Sequence, residues 1–167
     1  FQFAVNEKGQ IRFGLGAIKG MGEATSEAIY LERQNGRFKD IYDFFERMPS
    51  SQVNKRVVES LVIAGAFDEL DSYHRAQYFD VDNAGRTNIE KLLRYGQSFQ
   101  DNKNSVENSL FADFADEVQI ERPKLLPCAE WQNMHKLNRE KEIIGFYLSA
   151  HPLDEYKFQY KFINGEF

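Results

Sequence analysis

The chain opens with apolar residues at every second position on both sides of a short polar turn. Alternation of this kind, interrupted by a turn that contains glycine, predicts a short β-hairpin. Because the pattern begins at the first residue, and that residue is not Met, we expect the chain to be a piece of a longer protein. The apolar positions are Phe1, Phe3 and Val5 before the turn at Lys8-Gly9, and Ile11 and Phe13 after it.

Further along, apolar residues recur every three or four positions, which indicates a series of amphipathic helices. Asp40 and Asn54 are suited to cap two of them, and Gly36 and Gly65 lie where helices would stop. The predicted fold class is mainly α, with a small N-terminal β-hairpin. The predicted helices run from Glu23 to Gln34, from Asp40 to Pro49, from Asn54 to Gly65, from about Ser72 to Phe79, from Ile89 to Phe99 and from about Ala129 to Ile144.

Residues 101–127 show neither the helical nor the strand period, and this stretch ends in prolines. Such a stretch between periodic segments is typical of a linker. The sequence therefore predicts a domain over 1–100, a linker over 101–127, and a helical segment over 128–167 that leads into a next domain.

A glycine-rich turn, GAIKGMG at residues 16–22, follows the predicted β-hairpin and precedes the first helix. A dinucleotide-binding loop requires the order G-x-G-x-x-G, but after Gly14 and Gly16 the next glycine is Gly20, one residue too late. The phosphate-binding loop G-x-x-x-x-G-K-[ST] does not fit either, because Lys19 precedes its glycine. Both spacings argue against a nucleotide-binding site.

The same turn fits a tight hairpin between two helices. Gly20 and Gly22 permit positive φ and a close approach of the backbone. Free amides at the start of the following helix, together with the helix dipole, form an anion site, and Lys19 adds a positive charge beside it. Such a site binds nucleic-acid phosphates without selecting a base sequence. The alternative is a corner in which the glycines serve only the geometry of the turn.

A weaker copy of this turn occurs at residues 63–67, where the sequence IAGAF aligns with IKGMG at 18–22. The first glycine is kept as Gly65, but Ala64 replaces the lysine and Phe67 replaces the second glycine. Because an aromatic side chain at that point covers the amides or enters the core, we expect this copy to be more structural than phosphate-binding.

Three segments, in this order and spacing, resemble the family C replicative polymerases of bacteria, the family of the DNA polymerase III alpha subunit. They are IRFGLGAIKGMGEATSEAI, VNKRVVESLVIAGAFDEL and KLNREKEIIGFYLSAHPLDEY. The resemblance implies a tandem helix-hairpin-helix domain, downstream of the palm and fingers, that holds duplex DNA without sequence preference. The DNA-binding residues that it implies are Lys19, Gly20, Met21 and Gly22, with Gly65, Ala66 and Phe67 as a weaker second hairpin.

The same resemblance predicts that this segment holds none of the catalytic residues of the longer polymerase, its parent. The catalytic carboxylates of the family lie in the palm, so we expect no catalytic residue, metal site or cofactor here. The parent is expected to be a DNA-directed DNA polymerase that uses divalent metal ions, namely magnesium. Asp80 and Asp82 are the nearest carboxylate pair, and their position favours a solvated loop.

The implied setting is the bacterial cytoplasm without a membrane, with double-stranded DNA, a sliding clamp and other subunits of the polymerase holoenzyme as partners. The alternative is a protein-protein interaction scaffold with structural hairpins only.

A short peptide in the predicted linker resembles the sliding-clamp-binding motif of this family, which begins with Gln and ends in Leu-Phe or Met-Phe. Its apolar pair in a polar strand suits a hydrophobic pocket on a partner, unless the pair pins the linker to the domain's own core. Glu107 stands in place of Gln and removes an amide donor. The clamp-binding residues implied are Glu107, Ser109, Leu110 and Phe111.

Charge and composition adjust this interpretation. The 167 residues carry a formal net charge of -5, which alone argues against a nucleic-acid-binding domain. However, residues 106–121 hold five acidic residues and no basic residue, so the deficit lies in the presumed linker. The near-neutral hairpin region predicts weak DNA binding. The single cysteine, Cys128, and three scattered histidines exclude a disulfide framework and a Cys- or His-rich metal site.

Overall fold

The computed structural model describes residues 3–5, 7–9, 11–107 and 120–156. At the N-terminus, strands β1 (Ala4–Val5) and β2 (Ile11–Arg12) pair antiparallel, with Val5 opposite Ile11. This pair is the predicted β-hairpin.

Six helices follow within the described residues, and the fold is mainly α, as the hydrophobic period predicts. Short 3₁₀ turns lie at Leu15–Ala17, Arg33–Asn35 and Pro152–Tyr156. The helices of the described residues are α1 (Glu23–Glu32), α2 (Ile41–Arg47), α3 (Lys55–Ile63), α4 (Arg75–Phe79), α5 (Asn88–Glu107) and α6 (Asn133–Ile144).

Local sequence signals explain several of the helix ends. The Asp40 side chain accepts a hydrogen bond from the Asp43 amide at 2.7 Å, and Asn54 accepts one from the Val57 amide at 3.0 Å. Each of these bonds satisfies an amide that has no partner within its helix, which stabilises the first turn. Both predicted caps are therefore confirmed.

Helices α2 and α5 pack closely against each other. A Cβ atom added to Gly96 would lie 2.6 Å from the Phe45 carbonyl oxygen, so only glycine permits this approach of the two backbones. Nearby, the Gln100 side chain donates to the Phe45 carbonyl at 3.1 Å and also to the Met48 carbonyl, and so satisfies the end of α2. The largest fully buried apolar side chains of the core are Tyr78, Phe44, Ile41, Met48, Leu61, Ile89, Leu92 and Leu137.

The prediction of a linker over 101–127 is wrong at both ends. Helix α5 continues past Phe99 to Glu107, because the polar stretch 101–107 contains no Gly or Pro to stop it. At the other end, Arg122 pairs with Glu46 at 2.9 Å, and the Tyr42 hydroxyl donates to the Pro123 carbonyl at 2.7 Å. Leu125 is buried in the core, so residues 122–125 are fixed on the domain.

Two helices begin later than the hydrophobic pattern predicts. Helix α4 starts at Arg75, with His74 as its N-cap residue, and α6 starts at Asn133. In both cases the residues just before the helix lie outside regular secondary structure. Within the described ranges, none of the helices combines the length and the apolar character that a membrane span requires.

Candidate nucleic-acid interface

The first hairpin is a tight turn over residues 18–22 that joins a 3₁₀ turn to α1. The Met21 amide donates to the Ile18 carbonyl at 3.0 Å, and both of these side chains are buried. Gly20 adopts φ +88, a conformation that L side chains rarely adopt, whereas Gly22 has an ordinary φ of -75. Lys19, Gly20 and Gly22 are exposed. Met21, predicted as a DNA-contacting residue, therefore anchors the turn through its side chain.

Two distant helices hold this turn in place. The Ser60 hydroxyl of α3 donates to the Lys19 carbonyl at 3.0 Å, and the Lys19 amide donates to the Ile143 carbonyl of α6 at 2.9 Å. The turn is thus supported on both sides of Lys19, which presents its side chain from a fixed backbone. The sequence gives no local sign of either contact.

The start of α1 has the open amides that an anion site requires. Gly22 is the N-cap residue and has no side-chain cap. The two hydroxyl side chains nearby donate to carbonyls: Ser26 to Gly22 at 3.0 Å, and Thr25 to Gln52 at 3.1 Å. A Cβ atom added to Gly22 would meet only the Thr25 hydroxyl, at 4.0 Å. The space beside Gly22 is therefore open, and the uncapped amides of the first turn carry the positive end of the helix dipole.

Charges of both signs surround this helix start. Lys19 is exposed, and the Arg56 side chain runs beside the turn, with its Nε atom 3.4 Å from the position of a Cβ atom on Gly20. Within the described part of the chain, neither cation forms an ion pair. Glu23 places an exposed carboxylate in the first turn of α1, which opposes the attraction of a phosphate. Arg56 was not predicted, because its approach depends on how α3 packs.

The second hairpin uses its amides internally. The Gly65 amide donates to the Val62 carbonyl at 3.0 Å, and the Ala66 amide donates to the Leu61 carbonyl at 2.9 Å. With Gly65 at φ +78, this pair of bonds forms a Schellman motif that ends α3. The Phe67 side chain is only 4% exposed. The weaker contact predicted at Gly65, Ala66 and Phe67 therefore lacks the free Gly65 and Ala66 amides that a phosphate would need.

A buried ion-pair cluster lies behind the second hairpin. The Arg75 guanidinium pairs with Asp68 at 2.6 Å and with Glu140 at 3.2 Å, and it donates to the Ile63 carbonyl at 2.8 Å. Glu140 has no exposed surface. This cluster connects the second hairpin to α6, and sequence reasoning missed it because Arg75 and Glu140 lie 65 positions apart.

Other predicted positions lie apart from the first hairpin. Ser109, Leu110 and Phe111 of the clamp-like peptide fall outside the described residues, and so does the side chain of Glu107. The Asp82 carboxylate accepts the amides of Ala84 and Arg86, each at 2.9 Å. The Asp82 pKa is lowered, and the hydrogen bond from the Arg86 amide is the largest cause. The described residues contain no group of three or more His, Cys, Asp or Glu that could hold a metal ion.

Comparison with known proteins agrees with this geometry. Residues 1–78, which include both hairpins, match the family model of the helix-hairpin-helix motif. The DNA polymerase III subunit alpha of Vibrio cholerae is 38% identical over 160 residues, which is 93% of this chain and 13% of that protein. The chain is a homologue of one segment of the DNA polymerase III alpha subunit.

Further DNA polymerase III alpha subunits show the same partial coverage. The Pseudomonas fluorescens protein is 35% identical over 173 residues, 94% of this chain and 14% of its own length. The Campylobacter jejuni protein is 38% identical over 152 residues, 89% of this chain and 12% of its own length. The resemblance noted in the sequence is thus confirmed, and the chain spans about one eighth of these polymerase subunits.

Proposed function

We propose that this segment of a DNA polymerase III alpha subunit binds the backbone of duplex DNA without sequence preference. The observation that carries the proposal is the uncapped, sterically open start of α1 at Gly22, with Lys19 and Arg56 beside it. A phosphate at this point accepts hydrogen bonds from the amides of the first turn and is attracted by the helix dipole. Because phosphate contacts carry no base information, the binding is independent of sequence.

The affinity of the isolated segment is modest under this proposal. Residues 1–70 hold nine basic and ten acidic residues, so no broad positive field steers DNA to the hairpin. Oriented amides and a few cations then form the contact with DNA, and the remainder of the polymerase contributes most of the binding free energy. The polymerase activity and its magnesium ions belong, in the same proposal, to the parent chain.

Replacing Gly22 with Val should weaken duplex binding about tenfold, or roughly 1.4 kcal/mol, because the branched side chain blocks the amides. Lys19→Ala should lower the slope of log affinity against log salt by about one unit, as expected for one lost phosphate contact. Fluorescence anisotropy with a labelled duplex, repeated for unrelated sequences over a series of salt concentrations, measures both effects.

The controls lie at exposed positions outside both hairpins. Ala129→Val also introduces a branched side chain, and Lys124→Ala removes the same charge as Lys19→Ala. The Gly22 backbone conformation suits any residue, so Gly22→Val should fold, as circular dichroism can check. Normal folding with unchanged duplex affinity would leave the first hairpin as a purely structural corner. A wild-type chain that is not retained on duplex DNA at low salt would instead favour the alternative function, a protein-protein interaction scaffold.

We further propose that the peptide at 107–111 binds a sliding clamp. The support is the apolar pair Leu110-Phe111 in a polar stretch, together with the homology to polymerase III alpha subunits. Replacing both residues with Ala should abolish binding to an immobilised bacterial sliding clamp, and Glu107→Gln should strengthen it by restoring the amide donor. The double variant Asn102→Ala, Asn104→Ala in α5 serves as the control. Clamp binding that persists without Leu110 and Phe111 would refute this assignment.

A further inference from the structure

The connection between α1 and α2 carries a second group of cations. Residues 33–39, RQNGRFK, contain Arg33, Arg37 and Lys39 and no acidic residue. All three are exposed, and within the described part of the chain none of them forms an ion pair. By contrast, Arg47 pairs with Glu32, as Arg75 and Arg122 pair with other carboxylates. These three cations thus stay available to an external anion. We call residues 33–39 the basic loop.

The three cations surround one cavity of about 410 Å³. Its floor is apolar and includes Phe44 and Phe67, while Glu69 adds a single carboxylate to the lining. Three positive groups against one negative group leave the rim with an excess of positive charge. The cavity therefore combines a cationic rim with an apolar floor.

Hydrogen bonds to the side chains of Arg47 and Asp43 in α2 hold the backbone of the basic loop in place. The Arg47 guanidinium donates to the carbonyls of Glu32 at 2.8 Å, Gly36 at 3.0 Å and Arg37 at 3.4 Å. The Lys39 amide donates to the Asp43 carboxylate at 2.9 Å. Because the backbone is held in this way, less conformational freedom is lost when the loop side chains meet a ligand.

The cavity lies next to the second hairpin and to the turn that leads into the first. Leu15 lies in the 3₁₀ turn that leads into the first hairpin, Ala66 lies in the second, and both line the cavity. Helix α1 begins at the open amides of Gly22 and ends beside Arg33, a separation of about 16 Å at 1.5 Å per residue. One turn of duplex DNA is about 34 Å long, so a single duplex can reach both places.

We propose that Arg33, Arg37 and Lys39 bind a second stretch of the phosphodiester backbone of the duplex that the first hairpin contacts. This inference rests on the proposed duplex binding. The second hairpin has committed its Gly65 and Ala66 amides to ending α3, and the basic loop supplies positive charge at its side. The alternation of charged phosphates and less polar deoxyribose faces along the backbone matches the cationic rim and the apolar floor.

The test is the triple variant R33Q/R37Q/K39Q, titrated with a labelled duplex of about 20 base pairs, two helical turns, over a salt series. Each lost phosphate contact lowers the log–log salt slope by about 0.9, so the slope should fall by 2 to 3 units, equally for unrelated sequences. The matched control R94Q/K124Q/K136Q removes the same charge from residues that line neither hairpin nor this cavity. Its slope should stay within half a unit of wild type.

The outcomes separate this inference from the proposed function. A triple variant with the wild-type slope, alongside a weakened Gly22→Val variant, would overturn the basic-loop site and leave the first hairpin as the DNA contact. A wild-type chain that binds no duplex would overturn both. If a poly-glutamate peptide binds the wild type more tightly than the duplex does, and only that binding is lost in the triple variant, the basic loop receives an acidic protein segment and the proposal is wrong. The single variant R37Q replaces the triple variant if the latter fails to fold.

Discussion

Replacing Glu140 with Ala should lower the free energy of unfolding by about 3–5 kcal/mol, the usual effect of removing one partner from a buried ion pair. Glu140 is fully buried and accepts hydrogen bonds from the Leu148 and Ser149 amides, both at 2.8 Å, as well as pairing with Arg75. The substitution leaves the Arg75 charge half-compensated and two amides without an acceptor. Urea denaturation followed by circular dichroism measures the change.

Two further variants test the cause of that loss. Glu142→Ala removes an exposed carboxylate from the same helix and should change stability by no more than about 0.5 kcal/mol. Arg75→Met combined with Glu140→Leu removes both charges, and this double variant should be more stable than Glu140→Ala. A loss below 1 kcal/mol for Glu140→Ala would show that the cluster does not hold α6 to the second hairpin.

The stabilisation from Glu140 should also depend on pH. Burial by itself would raise the Glu140 pKa, but hydrogen bonds from Ser149 and Leu148 and the contact with Arg75 outweigh it and lower the pKa. A pKa lower in the folded state than in the unfolded state gives stability that is complete above the unfolded value, about 4.3, and is lost as the pH falls through the folded value. The difference between wild type and Glu140→Ala should therefore shrink in acid.

The features that the sequence predicts well are those set by neighbouring residues. A short polar side chain at Asp40 or Asn54 reaches amides three residues away, so the cap depends on nothing distant. The same holds for Gly65, whose positive φ follows from its place just beyond the end of α3. The first hairpin and the mainly α fold class belong to this group.

Contacts that depend on packing were not predictable from one sequence. Arg56 approaches Gly20 only because α3 lies against the first hairpin, and Arg75 meets Glu140 only because α6 returns to α4. Neither pair follows from local spacing. The extent of α5 was missed for a different reason. Residues 101–105 continue the helix but are all polar and mostly exposed, so they give no amphipathic signal.

Replacing Gly65 with Ala should destabilise the domain far more than the same change at Gly85. Both glycines have positive φ, +78 and +73, so each substitution carries a similar backbone strain, about 1–2 kcal/mol. At Gly85 the new methyl group meets nothing within 4 Å, whereas at Gly65 it would lie 2.2 Å from the Arg75 guanidinium. The excess at Gly65 should be about 2 kcal/mol or more, since Arg75 must leave its carboxylate partners.

Urea denaturation of the two variants isolates the Arg75 contribution as the difference between them. Duplex titration of Gly65→Ala, at a temperature where the variant remains folded, adds a functional readout. A structural second hairpin predicts an affinity within about threefold of wild type, which corresponds to less than 0.7 kcal/mol. Equal destabilisation at Gly65 and Gly85, together with a large loss of DNA affinity at Gly65 alone, would instead make the second hairpin a direct phosphate contact, and its Schellman motif would then have to open when DNA binds.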